Sequence, residues 1–505
     1  MTEVKRLKYC SNNEWKESKT KKYMPVTNSS TGEIIAEAPC CTTEEVNEVI
    51  GTALAAYKTW STTSIQSRTQ LMFKFKQKLD QHLDELALLI SVELGKTLDE
   101  ARGEVIKSTE TVELACAAPL ALQGDSLLQI SDGHDIVHYR VPMGVFAGIV
   151  PYNFPIMMPY WMIPISIVCG NTFVLKATSQ VPQSAMRVLE LLIEAGMPPG
   201  VVNIITCSRN EAEIFLRHPD IKGISYVGST PTGKHIYTSA AANGKRVQAN
   251  CEAKNHALVL RDAPLERVAQ GVANSTVGCA GQRCMALPVV VVEEDVADEF
   301  VAHLVKYVSM RKIGCAYDPD TELGPVVSAE HRQFVNNWIA KGVAEGAKLI
   351  LDGRNVVVPG FENGFFVGPT IFDHVTPEMS VGTEEIFGPV TCIKRVKNFE
   401  EGVALIHGNR FANGACIFTQ NGSYAREFLF KAHSGNVGIN VGIPIPYTYF
   451  NFAGHKDSFF GDLHTQGKDA FAFYTEALCV TSRWFTEEDL KVSKISTWEG
   501  VLSKT

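Results

Sequence analysis

The chain has 505 residues, 45% of them hydrophobic and 20% charged, and its 47 basic and 55 acidic residues leave a formal net charge of −8. That is the composition of a globular protein with a large core, long enough for two to four domains or one two-lobed body. A mild acidic excess without a long basic run argues against a nucleic-acid surface, and the cluster Lys19, Lys21, Lys22 reads as a solvated loop. The most apolar stretch, 154–169, is broken by Pro155, Pro159 and Pro164 and falls short of a membrane span.

Thirteen cysteines is an odd count, and several of them, such as Cys392 and Cys416, sit in apolar strand-like segments. This is reduced, intracellular usage, with cysteine packed as a small hydrophobe. Cys40 and Cys41 are adjacent and Cys279 and Cys284 lie five apart, neither of which is a zinc spacing, so no metal is expected. The opening MTEVKRLKYC has no apolar core or cleavage site, so the expected location is cytoplasmic.

Helical periodicity predicts helices over 44–60, 67–93 and 98–113, the second ending at Gly95. Strands then alternate with helices. GVFAGIV (144–150) and NTFVLK (171–176) flank a crossover helix over 157–168. A helix over 183–195, the strand VVNIIT (201–206) and the strand ISYVGS (224–229) follow. This alternation predicts βαβ units on a parallel sheet. A second strand series, HALVL (256–260), PVVVVE (288–293), TCIKRV (391–396) and GACIF (414–418), places a lobe boundary near residue 251.

Three motifs carry chemistry. GSTPTG (228–233) joins a strand to a helix start, where backbone N–H groups and the helix N-terminus face an anion. Ser229 or Thr230 caps that helix and Pro231 suits its first turn. The middle glycine of a dinucleotide fingerprint is missing, so the turn alone is equally compatible with no ligand. GCAGQRCMA (278–286) holds Cys284 among small residues. A thiolate there attacks an aldehyde, and hydride loss leaves a thioester. Arg283 is placed to favour the thiolate, and Cys279 is read as structural. PYNFP (151–155) fixes Asn153 between two prolines, where its amide can face an oxyanion. Taken singly, Cys284 also fits core packing and Asn153 a turn.

PYNFP, FVLKATS, YVGSTPTG, AGQRC and EEIFGPV, in this order over roughly residues 20–490, resemble the aldehyde dehydrogenase superfamily. AKNHALVL, AGQRCMA, GINVGIPIP and SFFGDLH resemble its methylmalonate-semialdehyde dehydrogenase branch. The resemblance implies an α/β aldehyde dehydrogenase fold in three parts. These are a Rossmann-like cofactor domain over 1–123 and 144–250, an α/β catalytic domain over 251–445, and a small β bridging element over 124–143 and 470–484 that builds homodimers or homotetramers. It implies oxidation of malonate or methylmalonate semialdehyde with NAD, acyl transfer to coenzyme A and loss of CO2. Carried over by position, Cys284 is the nucleophile and Asn153 the oxyanion donor. Lys176, Gly228, Ser229, Glu385 and Phe387 hold the cofactor, and Arg283 contacts an acidic substrate.

Four positions depart from the superfamily pattern. The glutamate that activates hydrolytic water is Asn250 here, as in the branch, which fits acyl transfer to coenzyme A. Glu252 stands where a small residue is usual, and two residues of extended chain direct it elsewhere. Ser179 replaces a glutamate that grips the adenosine ribose, which opens the site to NADP as well as NAD. Lys107 stands where the branch often has a second substrate arginine, keeping the charge without the bidentate fork. These departures keep open a hydrolytic semialdehyde dehydrogenase acting on sulfolactaldehyde or succinate semialdehyde, and a catalytically idle binding or structural paralogue.

Overall fold

A computed structural model describes residues 4–491 apart from 488. Its first large sheet has eight strands. The five central ones are parallel, in the spatial order Arg246–Asn250, Ile221–Val227, Val145–Ile149, Thr172–Lys176, Val202–Ile205. Phe459–Gly461 adds antiparallel at one edge, and Tyr9–Ser11 with Glu14–Lys16 at the other. The chain leaves Val145–Ile149 to one side through two strands and then returns to its other side. The order therefore reverses between Val145–Ile149 and Ile221–Val227, and the crevice beyond the carboxyl ends of such strands is where open α/β sheets bind ligands. PYNFP and GSTPTG are the segments that leave those two ends.

The second sheet runs Lys348–Leu351, Thr370–Asp373, Val390–Val396, Val289–Glu293, His256–Val259, Gly414–Phe418, Asn436–Ile439, parallel except at the first edge. Adjacent segments thus enter different sheets, Arg246–Asn250 the first and His256–Val259 the second. A third sheet of Ser126–Ser131, His134–Pro142 and Thr475–Arg483 stands apart, pairing segments more than 300 residues distant in sequence. Arg140 and Arg246 donate to the carbonyls of Ala472 and Thr475 and tie its root to the first sheet.

Around the first sheet the helices mostly follow the expected pattern. Thr43–Trp60 opens on a capping box made by Thr42 and Glu45. The expected helix over 67–93 is two, Ile65–Gln81 and Leu83–Leu94, because His82 leaves helical geometry (φ −109°, ψ 18°). Apolar spacing stays nearly in phase across a one-residue break, so periodicity did not reveal it. Gly95 ends the second in a left-handed conformation, φ 97°. Met157–Val168 is buried on every face, as its lack of charged residues and of a polar face requires, and packs against Leu98–Cys116 and Ile65–Gln81. Its first turn has no capping side chain of its own. Glu104 of the neighbouring helix accepts the N–H groups of Ile156 and Met157 at 2.9 and 3.1 Å. Lys96 in turn donates to Glu104 at 2.7 Å in a fully buried ion pair.

Candidate active site

Cys284 follows a turn no ordinary loop would hold. Cys279, Ala280 and Gly281 all have positive φ, at 51°, 52° and 73°. Such backbone persists only where its surroundings determine it. Glu100 accepts the Cys279 N–H at 2.7 Å, and the Gln282 side chain bridges the Cys279 carbonyl and the Val327 N–H. A Cβ at Gly281 would lie 2.1 Å from the Gly388 carbonyl oxygen, so only glycine lets these two chains approach. Beyond the turn, the Cys284 carbonyl accepts from Asn255 at 2.8 Å and from Asn413 at 3.1 Å. The backbone of Cys284 is held from both sides.

The Cys284 side chain stands between two cavities. One, of about 420 Å³, is lined by Phe154, Met157, Trp161, Ile443 and Ile445, with Glu100, Lys107 and Arg283 at its polar end. The other, of about 230 Å³, is lined by Asn153, Gly228, Ser229, Glu252, Glu385 and Phe387. Residues far apart in sequence therefore line the two cavities that share Cys284. Burial, and then the negative charge of Glu385, push the Cys284 thiol up to about 12.

Asn153 is buried and donates one amide N–H to the Gln282 carbonyl at 3.0 Å, which anchors it and leaves its second N–H. Glu385 accepts the Ala253 N–H at 2.9 Å, and burial raises its carboxyl to about 8. Phe387 has φ 58° and stacks edge-on against Tyr152, while His331 meets its carbonyl at 2.7 Å. Ser229 is the N-cap residue of Thr230–Ala241, but its hydroxyl donates to Thr232 at 3.0 Å instead of capping the helix. Lys176 ends its strand half-buried near Cys40 and Cys207, and desolvation lowers its pKa. Ser179 lies in the loop beyond it, and neither residue lines the 230 Å³ cavity.

The cofactor side fits a dinucleotide. Cβ atoms at Gly228 and Gly233 would fall 2.2 Å from the Tyr226 hydroxyl and the Cys251 sulfur, so both positions are filled to the backbone. A bare N-terminal helix turn facing a cavity is what a pyrophosphate takes.

Two expectations change. Arg283 does not serve the Cys284 thiolate, because its guanidinium donates to the Cys279 sulfur at 3.1 Å and faces Glu100 at 3.5 Å. Glu252 is not directed away, since it lines the cavity of Cys284 and Glu385. Residues 251–255 join a strand of one sheet to a strand of the other in no regular structure, so the extended-chain spacing does not hold there. Sequence reasoning passed over Gln282, Asn255, Asn413 and the Lys96–Glu104 pair. Their only signal was position within or beside recognised motifs, Asn255 in AKNHALVL and Gln282 in AGQRC.

The aldehyde dehydrogenase family profile matches residues 15–480. The chain belongs to the aldehyde dehydrogenase family. It is 44% identical over 484 residues to malonate-semialdehyde dehydrogenase of Bacillus subtilis (strain 168), covering 96% of this chain and 99% of that one. Methylmalonate-semialdehyde dehydrogenase from Oceanimonas doudoroffii superposes with a TM-score of 0.94 at 40% identity, over 97% of this chain and 100% of that one. A Sinorhizobium meliloti 1021 protein solved in complex with NAD superposes with a TM-score of 0.95 at 37% identity, over 96% and 99%. The molecule is thus an NAD(P)-dependent aldehyde dehydrogenase with that family's fold.

Proposed function

We propose that this aldehyde dehydrogenase oxidises a small acidic aldehyde, malonate or methylmalonate semialdehyde, and passes the acyl group to coenzyme A with loss of CO2. The observation that carries the reading is the seating of Cys284 between an apolar-walled cavity that also holds Lys107 and Arg283 and a second one lined by Gly228, Ser229, Glu385 and Phe387. Two relatives bear malonate- and methylmalonate-semialdehyde dehydrogenase names, and another binds NAD. Lys176, Ser179, Gly228, Ser229, Glu385 and Phe387 hold the cofactor, which supplies the two-electron oxidation when bound. NAD is the first choice, and Ser179 leaves room for NADP.

The chain's own residues do the rest. The Cys284 sulfur gives up its proton to solvent water and adds to the aldehyde carbon, whose C=O π electrons move to the oxygen as the C–S bond forms. The free Asn153 N–H and the Cys284 backbone N–H stabilise the oxyanion, a device worth roughly 10²–10³ in rate per donor. Arg283 and Lys107 mark the end of the cavity toward which an acidic group points. Asn250 stands where most of the family keeps a water-activating glutamate, so release by the thiol of coenzyme A is favoured. Glu252 in the cofactor cavity favours a second reading, hydrolysis to the free acid.

The domain reading is a cofactor lobe over 1–123 and 144–250, a catalytic lobe over 251–445 and a bridging element over 124–143 and 470–484. The third sheet, with Leu127, Leu128, Ile130 and Leu478 exposed, supports a homodimer or homotetramer. No helix among the described residues is long and apolar enough to cross a membrane, which accords with a cytoplasmic enzyme.

The deciding experiment follows reduced-cofactor absorbance with methylmalonate semialdehyde and NAD or NADP, with and without coenzyme A. Turnover that requires coenzyme A and yields propionyl-CoA supports the acylating reading. Turnover without it selects the hydrolytic one. Cofactor binding with no turnover on any aldehyde marks an idle paralogue, and oxidation by Cys284→Ala would end the thioester mechanism.

A further inference from the structure

Lys107 is the residue common to the 420 Å³ cavity beside Cys284 and to a neighbouring 680 Å³ cavity, along with Ile443 and Ile445. It stands where the inner chamber opens toward the outer one. Its ammonium is already taken. It donates to both oxygens of Glu110, one helical turn on, at 2.8 and 3.0 Å. Glu110 is itself held, accepting from the Thr448 hydroxyl at 3.3 Å, and the Tyr447 ring lies 4.9 Å from the Lys107 ammonium. Lys107, Glu110, Tyr447 and Thr448 therefore join the helix Leu98–Cys116 to the loop at 443–451. The other cation of the inner cavity, Arg283, is engaged by Glu100 and Cys279.

An acidic aldehyde entering this cavity meets no uncommitted cation. Its anionic end must either bind beside a neutralised pair, where Glu110 repels it, or displace Glu110 from Lys107. A lysine is a point charge with three rotatable donors, so exchange of one carboxylate for another costs it little geometry. Both partners are half-buried, with side chains 35% and 25% exposed, so the pair is stronger than a surface ion pair yet open to competition.

We propose that Glu110 is a specificity-determining residue, an internal carboxylate that competes with the anionic end of the substrate for Lys107 and sets how strongly the enzyme selects acidic over neutral aldehydes. This rests on the acidic-aldehyde reading for the substrate, but the competition itself concerns any small carboxylate.

The test compares wild type, Glu110→Gln and Thr448→Val, with methylmalonate semialdehyde and propanal as substrates and malonate as an inhibitor of propanal oxidation. In Glu110→Gln the ratio of kcat/KM, acidic over neutral, should rise about three- to tenfold, carried by KM of the acidic substrate. The malonate inhibition constant should fall by a similar factor. Thr448→Val, which frees Glu110 without removing its charge, should move both quantities in the same direction by less, and stands in if Glu110→Gln does not fold. An unchanged ratio and an unchanged malonate constant in folded variants would overturn the proposal. Tighter malonate inhibition without any turnover of the semialdehyde would uphold the role of Glu110 and remove the acidic-aldehyde reading instead.

Discussion

Cys284 carries its chemistry as a neutral thiol at rest. Burial and the Glu385 charge push it up to about 12, and the one nearby guanidinium, Arg283, is turned to Cys279. A thiol pKa raised this far leaves a minute thiolate fraction at neutral pH, and that fraction grows with pH without levelling below the pKa. Inactivation of the cofactor-free enzyme by iodoacetamide should therefore keep accelerating from pH 7 to 9, by less than tenfold per unit because Glu385, raised to about 8, gains its charge across that window. A plateau reached by pH 8 would mean that a group in the site lowers the thiol instead. Cys284 was legible in the sequence as the candidate nucleophile because AGQRC lies in order with four other motifs. Its protonation state was not, since that depends on which charges fold against it and which of them are already paired. Arg283 is adjacent in sequence yet spends its charge elsewhere, while Glu385, a hundred residues on, reaches the sulfur.

Two elements at the candidate site are held by contacts their own sequences do not announce. The turn before Cys284 needs glycine at 281 for its φ of 73° and for the Gly388 carbonyl, which a Cβ would meet at 2.1 Å. Gly281→Ala should destabilise the protein by about 3 kcal/mol or more, read as a lower thermal midpoint, and should lower kcat by displacing Cys284. A variant with wild-type midpoint and rate would show that the turn can open without consequence. The helix Met157–Val168 begins on a carboxylate from another helix, and that carboxylate is neutralised by a fully buried lysine. Glu104→Gln leaves the Lys96 charge buried without its counter-ion and should cost about 3–5 kcal/mol, again measured by thermal unfolding. A loss under 1 kcal/mol would indicate that water reaches Lys96. Helix existence was legible here, because 157–168 has no polar face. The cap was not, because nothing in the twelve residues of the helix names its partner.

At the scale of the whole molecule, the two large sheets bury both faces and the third does not. Leu127, Leu128 and Ile130 on Ser126–Ser131, and Leu478 and Val480 on Thr475–Arg483, stand exposed. An open apolar sheet with a free edge is a surface for self-association. If the proposed homodimer or homotetramer forms through this sheet, Leu128→Arg should lower the mass seen by light scattering while the fold, read by circular dichroism, persists. An unchanged mass would place the assembly interface elsewhere.

By itself the sequence determined the family, the alternation of strands and helices, the identity of the candidate nucleophile and the glycine turn proposed to face the cofactor. Each of these is written in local periodicity or in a short motif, where neighbours in sequence are neighbours in space. Only the tertiary structure decided that the strand order reverses between Val145–Ile149 and Ile221–Val227, that Glu252 faces the cofactor cavity, that Arg283 is engaged by Cys279 and Glu100, and that Lys107 is answered by Glu110 within reach of Thr448. The physical reason is common to all four. Charges and hydrogen-bond donors act over a few ångströms of space, and folding brings into that range groups that lie from a single helical turn to more than 300 residues apart along the chain.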